Sequence, residues 1–307
     1  VQSDHHFNAE NMSTSGTYGF IGLGAMGMPI ARRLATTIEC LAIRDISPER
    51  VDLLLDEAGP AAIEDPAILE NAAVVFLCLP SQQATRAVVE ELATVPGLKR
   101  VVIDFGAYSP EFVNEMNAIC QAAGGVYCDC PVFGTPLMAV RGELYFLFSG
   151  PQKVAKGFEK LATPLGYGMR YAGSSGTASL LKLLQNAIGT ANLAIGAEAL
   201  RICEATGADP NLFIEIVREC GGIGLSSVFD RFADDMAARR DSGEGRLRIA
   251  AKDMHSVVSL AEKLNISAPL LVETDRQYDC AMQAGLGEKQ FTEIINNTEG
   301  CDPKTQA

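Results

Sequence analysis

Tryptophan is absent from these 307 residues, and there are only three histidines, two of them (His5 and His6) near the N-terminus. So few imidazoles leave a histidine-based metal centre short of ligands, and no metal is expected. Nine cysteines occur without a Cys-x-x-Cys pair. The closest spacing is Cys128 and Cys130, which share one face of a strand and have no partner ligands nearby in sequence. Reduced thiols in a cytoplasmic protein are therefore expected, rather than a disulfide framework or a zinc site. Runs of like charge are missing too, and 25 lysines and arginines against 38 acidic residues give a net charge of -13. Nucleic-acid binding draws its affinity from clustered basic side chains, so that class of partner is set aside. Nor is there an unbroken apolar run long enough for a membrane span. Residues 178–197 come nearest, but Lys182, Gln185, Asn186 and glycines interrupt them. The opening "VQSDHHFNAENMSTSG" has no apolar core and does not read as a secretory signal. Residues 1–16 are expected to form a flexible extension, with Met12 as the native start.

What remains is a globular composition, 48% hydrophobic and 21% charged, over a length that suits two domains. "TYGFIGL" (17–23), "CLAIRD" (40–45), "AAVVFLCLP" (72–80) and "RVVIDF" (100–105) read as buried strands separated by helical stretches. "GVYCDCP" and "ELYFLFSG" extend the series. Strands alternating with helices predict a doubly wound, Rossmann-type parallel sheet over 17–172. Behind it only helical periodicity continues, at 174–205, 210–220, 249–264 and 269–284. An all-helical domain is expected over 173–307.

Three glycines carry the first chemical signal. Gly22-x-Gly24-x-x-Gly27 follows a strand and opens a helix, the spacing of a dinucleotide-binding turn. Gly22 permits the tight turn, Gly24 lets the backbone approach a pyrophosphate, and Gly27 lets the helix pack on the strand. Leu23, Ala25 and Met26 complete the expected cofactor contact. Asp45 ends the second strand, where a carboxylate would accept the adenosine ribose hydroxyls and repel a 2′-phosphate. That favours NAD, but Arg44 beside it could instead hold the phosphate of NADP, and both cofactors stay open.

Lys182 carries the second. No other charged side chain lies between Arg170 and Glu198. At helical spacing its face holds Ser175, Ala178, Ser179, Gln185, Asn186 and Gly189, flanked by leucines at 180, 181, 183 and 184. Such a small, weakly polar stripe suits the wall of a cleft. A lysine there would be partly desolvated, which lowers its pKa and equips it to shuttle a proton. A snorkelling lysine without a role is the alternative reading. Asn186, one turn on, could orient the same ligand.

These segments together resemble the β-hydroxyacid dehydrogenase family, which includes 3-hydroxyisobutyrate dehydrogenase. "GFIGLGAMGMPIARRL" is similar to its cofactor motif, "DCPVFGTPLMAVRGEL" (129–144) to its substrate motif and "GTASLLKLLQN" (176–186) to its catalytic motif. "AAKDM" (250–254) is similar to a later lysine–aspartate pair. The resemblance implies a nicotinamide-binding Rossmann domain, an interlocking helical domain and a homo-oligomer, dimer or tetramer. It makes Lys182 the catalytic acid/base and Asn186 a substrate-orienting group. Phe133, Gly134 and Thr135 would hold the substrate carboxylate. Leu79, Pro80 and Lys252 would lie along the cofactor, with Asp253 supporting Lys252, although an ordinary surface ion pair is the alternative for those two. His255 reads as a bystander.

Three positions depart from the family pattern. Phe133 stands where Ser-Gly-Gly commonly begins, Gly106-Ala107 where a Ser-Thr pair often follows Asp104, and Gln185 where an asparagine is common. Ala107 keeps its place beside the cofactor but gives up a side-chain hydrogen bond. The expected function is hydride transfer between a nicotinamide cofactor and a small 3-hydroxy acid or its semialdehyde. The alternatives are an NADPH-dependent imine reductase, a decarboxylating sugar-phosphate dehydrogenase and a non-catalytic dinucleotide-binding protein. The imine reductases generally carry something other than lysine at the catalytic position, and the sugar-phosphate enzymes usually carry His-Asn where this chain has Gln185-Asn186.

Overall fold

A computed structural model describes residues 12–95, 100–221 and 224–296. The chain forms two compact units that divide between Lys182 and Leu183.

In the first unit, β1 (Thr17–Ile21) leads through α1 (Gly27–Ala35) to β2 (Cys40–Arg44). α2 (Pro48–Ala58), β3 (Ala62–Ile63) and α3 (Pro66–Asn71) follow, then β4 (Val74–Leu77), α4 (Gln82–Ala93), β5 (Val101–Asp104) and α5 (Pro110–Ala122). The unit continues with β6 (Val126–Asp129), β7 (Val132–Phe133), α6 (Pro136–Arg141), β8 (Leu144–Ser149), α7 (Gln152–Ala162) and β9 (Gly166–Gly173). The strands make one sheet in the order β3-β2-β1-β4-β5-β6-β8-β7, with β9 on β8. Pairing is parallel from β3 through β6, and β8 runs antiparallel to β6 and β7. The order reverses beside β1, the place where doubly wound sheets open a crevice at their strand ends.

Both faces are covered, so β4 and β5 are buried throughout and can be apolar without alternation. One of these layers holds a cluster of phenylalanines. Phe76 and Phe105 stack 5.8 Å apart, and Phe20, Phe146 and Phe158 pack around them at about 6 Å. Cys128 and Cys130 are sealed in the same core, where burial pushes both thiols well above their usual range. Arg100, just before β5, is itself buried. Its guanidinium donates to the carbonyls of Ala72 (3.2 Å), Leu92 (2.8 Å) and Glu70.

β3, β7 and β9 go beyond the strands expected from sequence. The first two are only two residues long, too short for any period, and β9, "GYGMRYAG", is rich in glycine. At the N-terminus, residues 1–11 lie outside the described residues. Within residues 12–16, Ser13, Thr14 and Ser15 are exposed, but Met12 is buried in the core, Tyr18 Oη donates to the Ser13 carbonyl (2.7 Å) and Glu39 N to that of Thr14 (2.8 Å).

α8 (Thr177–Thr206) begins in the first unit and continues into the second, followed by α9 (Pro210–Cys220), α10 (Ser227–Ala237), α11 (Leu247–Lys263) and α12 (Pro269–Gln283). Their own core includes Leu193, Leu200, Phe229, Phe232, Met236 and Tyr278. No strand interrupts the helices among the described residues of this unit, but α10 was not anticipated. Cys280 is disulfide-bonded, contrary to the expectation of reduced thiols throughout, because spacing along a chain carries no signal for a pair joined through the fold. Seven other described cysteines are free. None of the described helices is long and apolar enough to cross a membrane.

Candidate active site

The glycine turn joins β1 to α1. Gly22 takes φ +101°, and a Cβ there would meet the Cys78 carbonyl oxygen at 2.4 Å. At Gly27 a Cβ would lie 1.9 Å from the Gly22 carbonyl, so any side chain would push helix from strand. Gly24 differs: a Cβ would meet nothing within 4 Å, because the backbone faces open space. Behind it stands α1, with no acidic residue in its first turn and Arg32 and Arg33 in its last, a helix start suited to an anion. The turn thus fits a dinucleotide pyrophosphate. Leu79, after β4, packs against Gly22 from the neighbouring strand end, and Pro80 next to it is exposed.

Asp45 is tied into the same turn. One oxygen accepts from Leu23 N (2.6 Å) and the other from Ser47 N (2.9 Å), and the side chain is only 5% exposed. Its first duty is to hold the turn, and each oxygen keeps a further lone pair for a ribose hydroxyl. Arg44, one residue back on the strand, takes a different direction. It makes a two-pronged ion pair with Glu91 (Nη2–Oε2 3.1 Å) and lines a cavity of about 200 Å³ with Ile43, Leu69 and Arg100. The structure therefore brings Asp45 to the glycine turn and commits Arg44 to α4. Arg50, 3.7 Å from Asp45, is the cation nearer that carboxylate.

At the end of β5, Asp104 is fully buried and accepts from Gly106 N (2.7 Å) and Tyr127 Oη (2.8 Å). Burial pushes its carboxyl up to about 6. Ala107 follows Gly106 in the same loop.

Lys182 sits over an aromatic ring, its Nζ 4.0 Å from the centroid of Phe133. Phe133, one of the departures from the family pattern, thus lies beneath the lysine. Phe133 meets Tyr145 edge-on across the β7–β8 pairing, and Gly134 (φ +136°) turns the chain into Thr135, whose hydroxyl caps α6 by accepting from Met138 N. Below Lys182 the start of α8 is bound to the sheet by residues that the sequence reading did not single out. Asp129, completely buried at the end of β6, accepts from Gly176 N (3.0 Å) through Oδ1 and from Ser179 N (2.8 Å) through Oδ2. Ser149, at the end of β8, donates to Asp129 Oδ1 (2.6 Å) and accepts from Ala178 N (3.0 Å). The available signal was an acidic residue closing an apolar strand, since such a carboxylate must find donors.

The second unit joins three expected residues by itself. Asn186 Nδ2 donates to Asp253 Oδ2 (2.7 Å), and Lys252 Nζ lies 3.2 Å from Asp253 Oδ1. Asp253 is buried, so Lys252–Asp253 is more than a solvated surface pair, and the Asn186 amide is held in one orientation. His255 is 3.4 Å from Asp275, and their ligand atoms lie with one from Asp279 within 4.8 Å of one another.

Comparison with known proteins agrees with this geometry. Residues 17–173 match the family described as the NAD binding domain of 6-phosphogluconate dehydrogenase. Residues 176–298 match the one described as the NAD-binding domain of NADP-dependent 3-hydroxyisobutyrate dehydrogenase. The chain belongs to the β-hydroxyacid dehydrogenase family. It is 26% identical to the 3-sulfolactaldehyde reductase of Escherichia coli K12, over 90% of this chain and 93% of that one. With the NAD-dependent L-serine dehydrogenase of Pseudomonas aeruginosa it shares 27% identity, over 92% and 98%. Its fold is that of Mycobacterium tuberculosis 3-hydroxyisobutyrate dehydrogenase solved with L-serine, with a TM-score of 0.80 at 20% identity over 92% and 98% of the two chains. As a member of this family the protein is an NAD(P)-dependent oxidoreductase acting on CH–OH groups.

Proposed function

We propose that the chain interconverts a short 3-hydroxy acid and its semialdehyde, with Lys182 as the acid/base. When bound, the nicotinamide accepts or returns the hydride. The protein's part is to bind the acid, exclude water and move the hydroxyl proton. Lys182 takes that proton during oxidation and returns it during reduction. The observation that carries this reading is the lysine amine held against the Phe133 ring within the unit that bears the glycine turn. The face of the ring holds the lysine's nitrogen in one place beside it. Phe133, Gly134 and Thr135, with the Asn186 amide, are assigned to the substrate. Because Phe133 offers no hydroxyl and adds bulk, an acid with an apolar rather than a hydroxylated substituent is the better fit.

Gly22 through Gly27, Asp45, Leu79, Pro80, Ala107, Lys252 and Asp253 are assigned to the cofactor. NAD is preferred, since Asp45 lies at the turn while Arg44 is held by Glu91. A homo-oligomer, dimer or tetramer, is further supported by α8. Leu181, Ile188, Ile195 and Ile202 recur every seven residues along it, the last three each more than 60% exposed. A stripe of that period is a helix-packing seam. A cytoplasmic location accords with the seven free described thiols, against which the disulfide at Cys280 stands.

A scan of short 3-hydroxy acids with NAD and NADP, following the reduced nicotinamide, tests the reading. Turnover with at least one acid, faster with NAD, is expected. Reduction of cyclic imines with NADPH, and no activity on any hydroxy acid, would overturn it.

A further inference from the structure

We propose that Asp129, acting through its own two oxygens and through Ser149, is the positioning residue that holds Lys182 in working register. The inference rests on Lys182 being the acid/base.

An α-helix begins with N–H groups that have no partner within the helix. At α8 each has a named acceptor: Gly176 N and Ser179 N on Asp129, Ala178 N on Ser149, and Thr177 N on the Ser174 carbonyl (3.2 Å). Capping alone does not require this arrangement. Gly176 stands at the cap position, where a serine side chain would provide a purely local cap. A local cap moves with its helix, whereas a carboxylate on the sheet fixes the helix to the sheet. Two contacts from one rigid carboxylate to amides three residues apart, plus a third through Ser149, set both the rotation of the helix and its advance along its axis. The negative charge also sits at the positive end of the helix dipole.

Lys182 lies one turn beyond Ser179, so little helix separates anchor from amine. The other end of the linkage is equally short. Asp129 and Phe133 are four residues apart on the segment that leaves β6 and enters β7, so the group that anchors the helix and the ring under the amine belong to one stretch of chain. A shift of α8 against Asp129 therefore moves Nζ relative to both the ring and the substrate. Near a reacting centre a displacement of about 1 Å can cost about 10²-fold in rate.

The lysine's position can be read without a substrate. Reductive ¹³C-methylation of the full chain gives each lysine an NMR signal, and that of Lys182, identified by its loss in Lys182→Ala, is expected upfield through the Phe133 ring current. Phe133→Leu should abolish the upfield shift. Asp129→Asn replaces one acceptor with a donor facing a backbone N–H, and Ser149→Ala removes the relay with less risk to folding. Both should lose most of the upfield shift and lower kcat by about 10- to 100-fold at unchanged cofactor affinity. Ser149→Thr, which keeps the hydroxyl, should restore both. Asp65→Ala, which uncaps α3 (Asp65 accepts from Ala67 N and Ile68 N), is the control that lowers stability without moving the signal. An unmoved Lys182 signal and unchanged kcat in folded Ser149→Ala and Asp129→Asn would overturn the proposal, leaving Asp129 as a stabilising group only. If instead Lys182→Ala keeps its rate, the catalytic reading fails, whatever the anchor does to the signal.

Discussion

Asp104 shows what sealing one carboxyl from water does to this protein. Hydrogen bonds from Gly106, Tyr127 and Thr85 favour the ionised form, but burial outweighs them and the carboxyl is raised to about 6 in the fold from about 3.8 unfolded. Between those values the native state holds a proton that the unfolded chain has released. Stability contributed by the protonated form is therefore complete below about pH 4 and is lost as the pH rises through 6, by up to about 3 kcal/mol. Asp104→Asn removes that titration. Denaturant midpoints at pH 4.5 and pH 7 should show the wild type losing ground to the variant as the pH rises. A difference independent of pH would refute the assignment. Cys78 and Cys120 take no part in this window, each thiol being pushed up to about 12 by burial.

Elements are held to one another here by polar side chains as well as by apolar packing. Arg100 gathers carbonyls from the ends of α3 and α4 and the start of β4, and each acceptor left buried and unpaired costs about 1–3 kcal/mol. Arg100→Ala should therefore lower stability by about 3 kcal/mol or more, read from urea unfolding with an unchanged m-value. A loss under about 1 kcal/mol would mean that water replaces the guanidinium. The same contrast decides what could be read from the sequence. β1, β2, β4 and β5 announce themselves because strands buried on both faces are continuous apolar runs. α10 was legible in principle, since Phe229, Phe232, Ala233 and Met236 keep helical spacing, but the aspartates and Arg231 between them dilute the pattern. β9 was not legible: its glycines are there for neighbours, Gly168 leaving room for the Tyr145 ring, and such a requirement appears only in three dimensions.

For the whole molecule, local motifs survived best. The glycine turn was legible because it is a contiguous pattern whose geometry is fixed by spacing, and Lys182 stood out because no other charged side chain lies between Arg170 and Glu198. The ties between distant segments could not be found that way: Asp129 to Gly176, 47 residues apart; Asn186 to Asp253, 67 apart; Arg44 to Glu91 rather than to the cofactor turn. Of the leucines that flank Lys182, Leu181 and Leu184 are substantially exposed and continue the apolar seam of α8. If that seam is a subunit contact, Ile195→Lys should convert the assembly to monomers in light scattering with the fold retained. An unchanged mass would place the contact elsewhere. The proposed chemistry depends on one amine, and a paired assay tests it most directly: turnover of a short 3-hydroxy acid by wild type and Lys182→Ala, beside their affinities for NAD. The expected result is a rate lowered by about 10²–10⁴-fold with cofactor affinity nearly unchanged. A variant that turns over at the wild-type rate would contradict it.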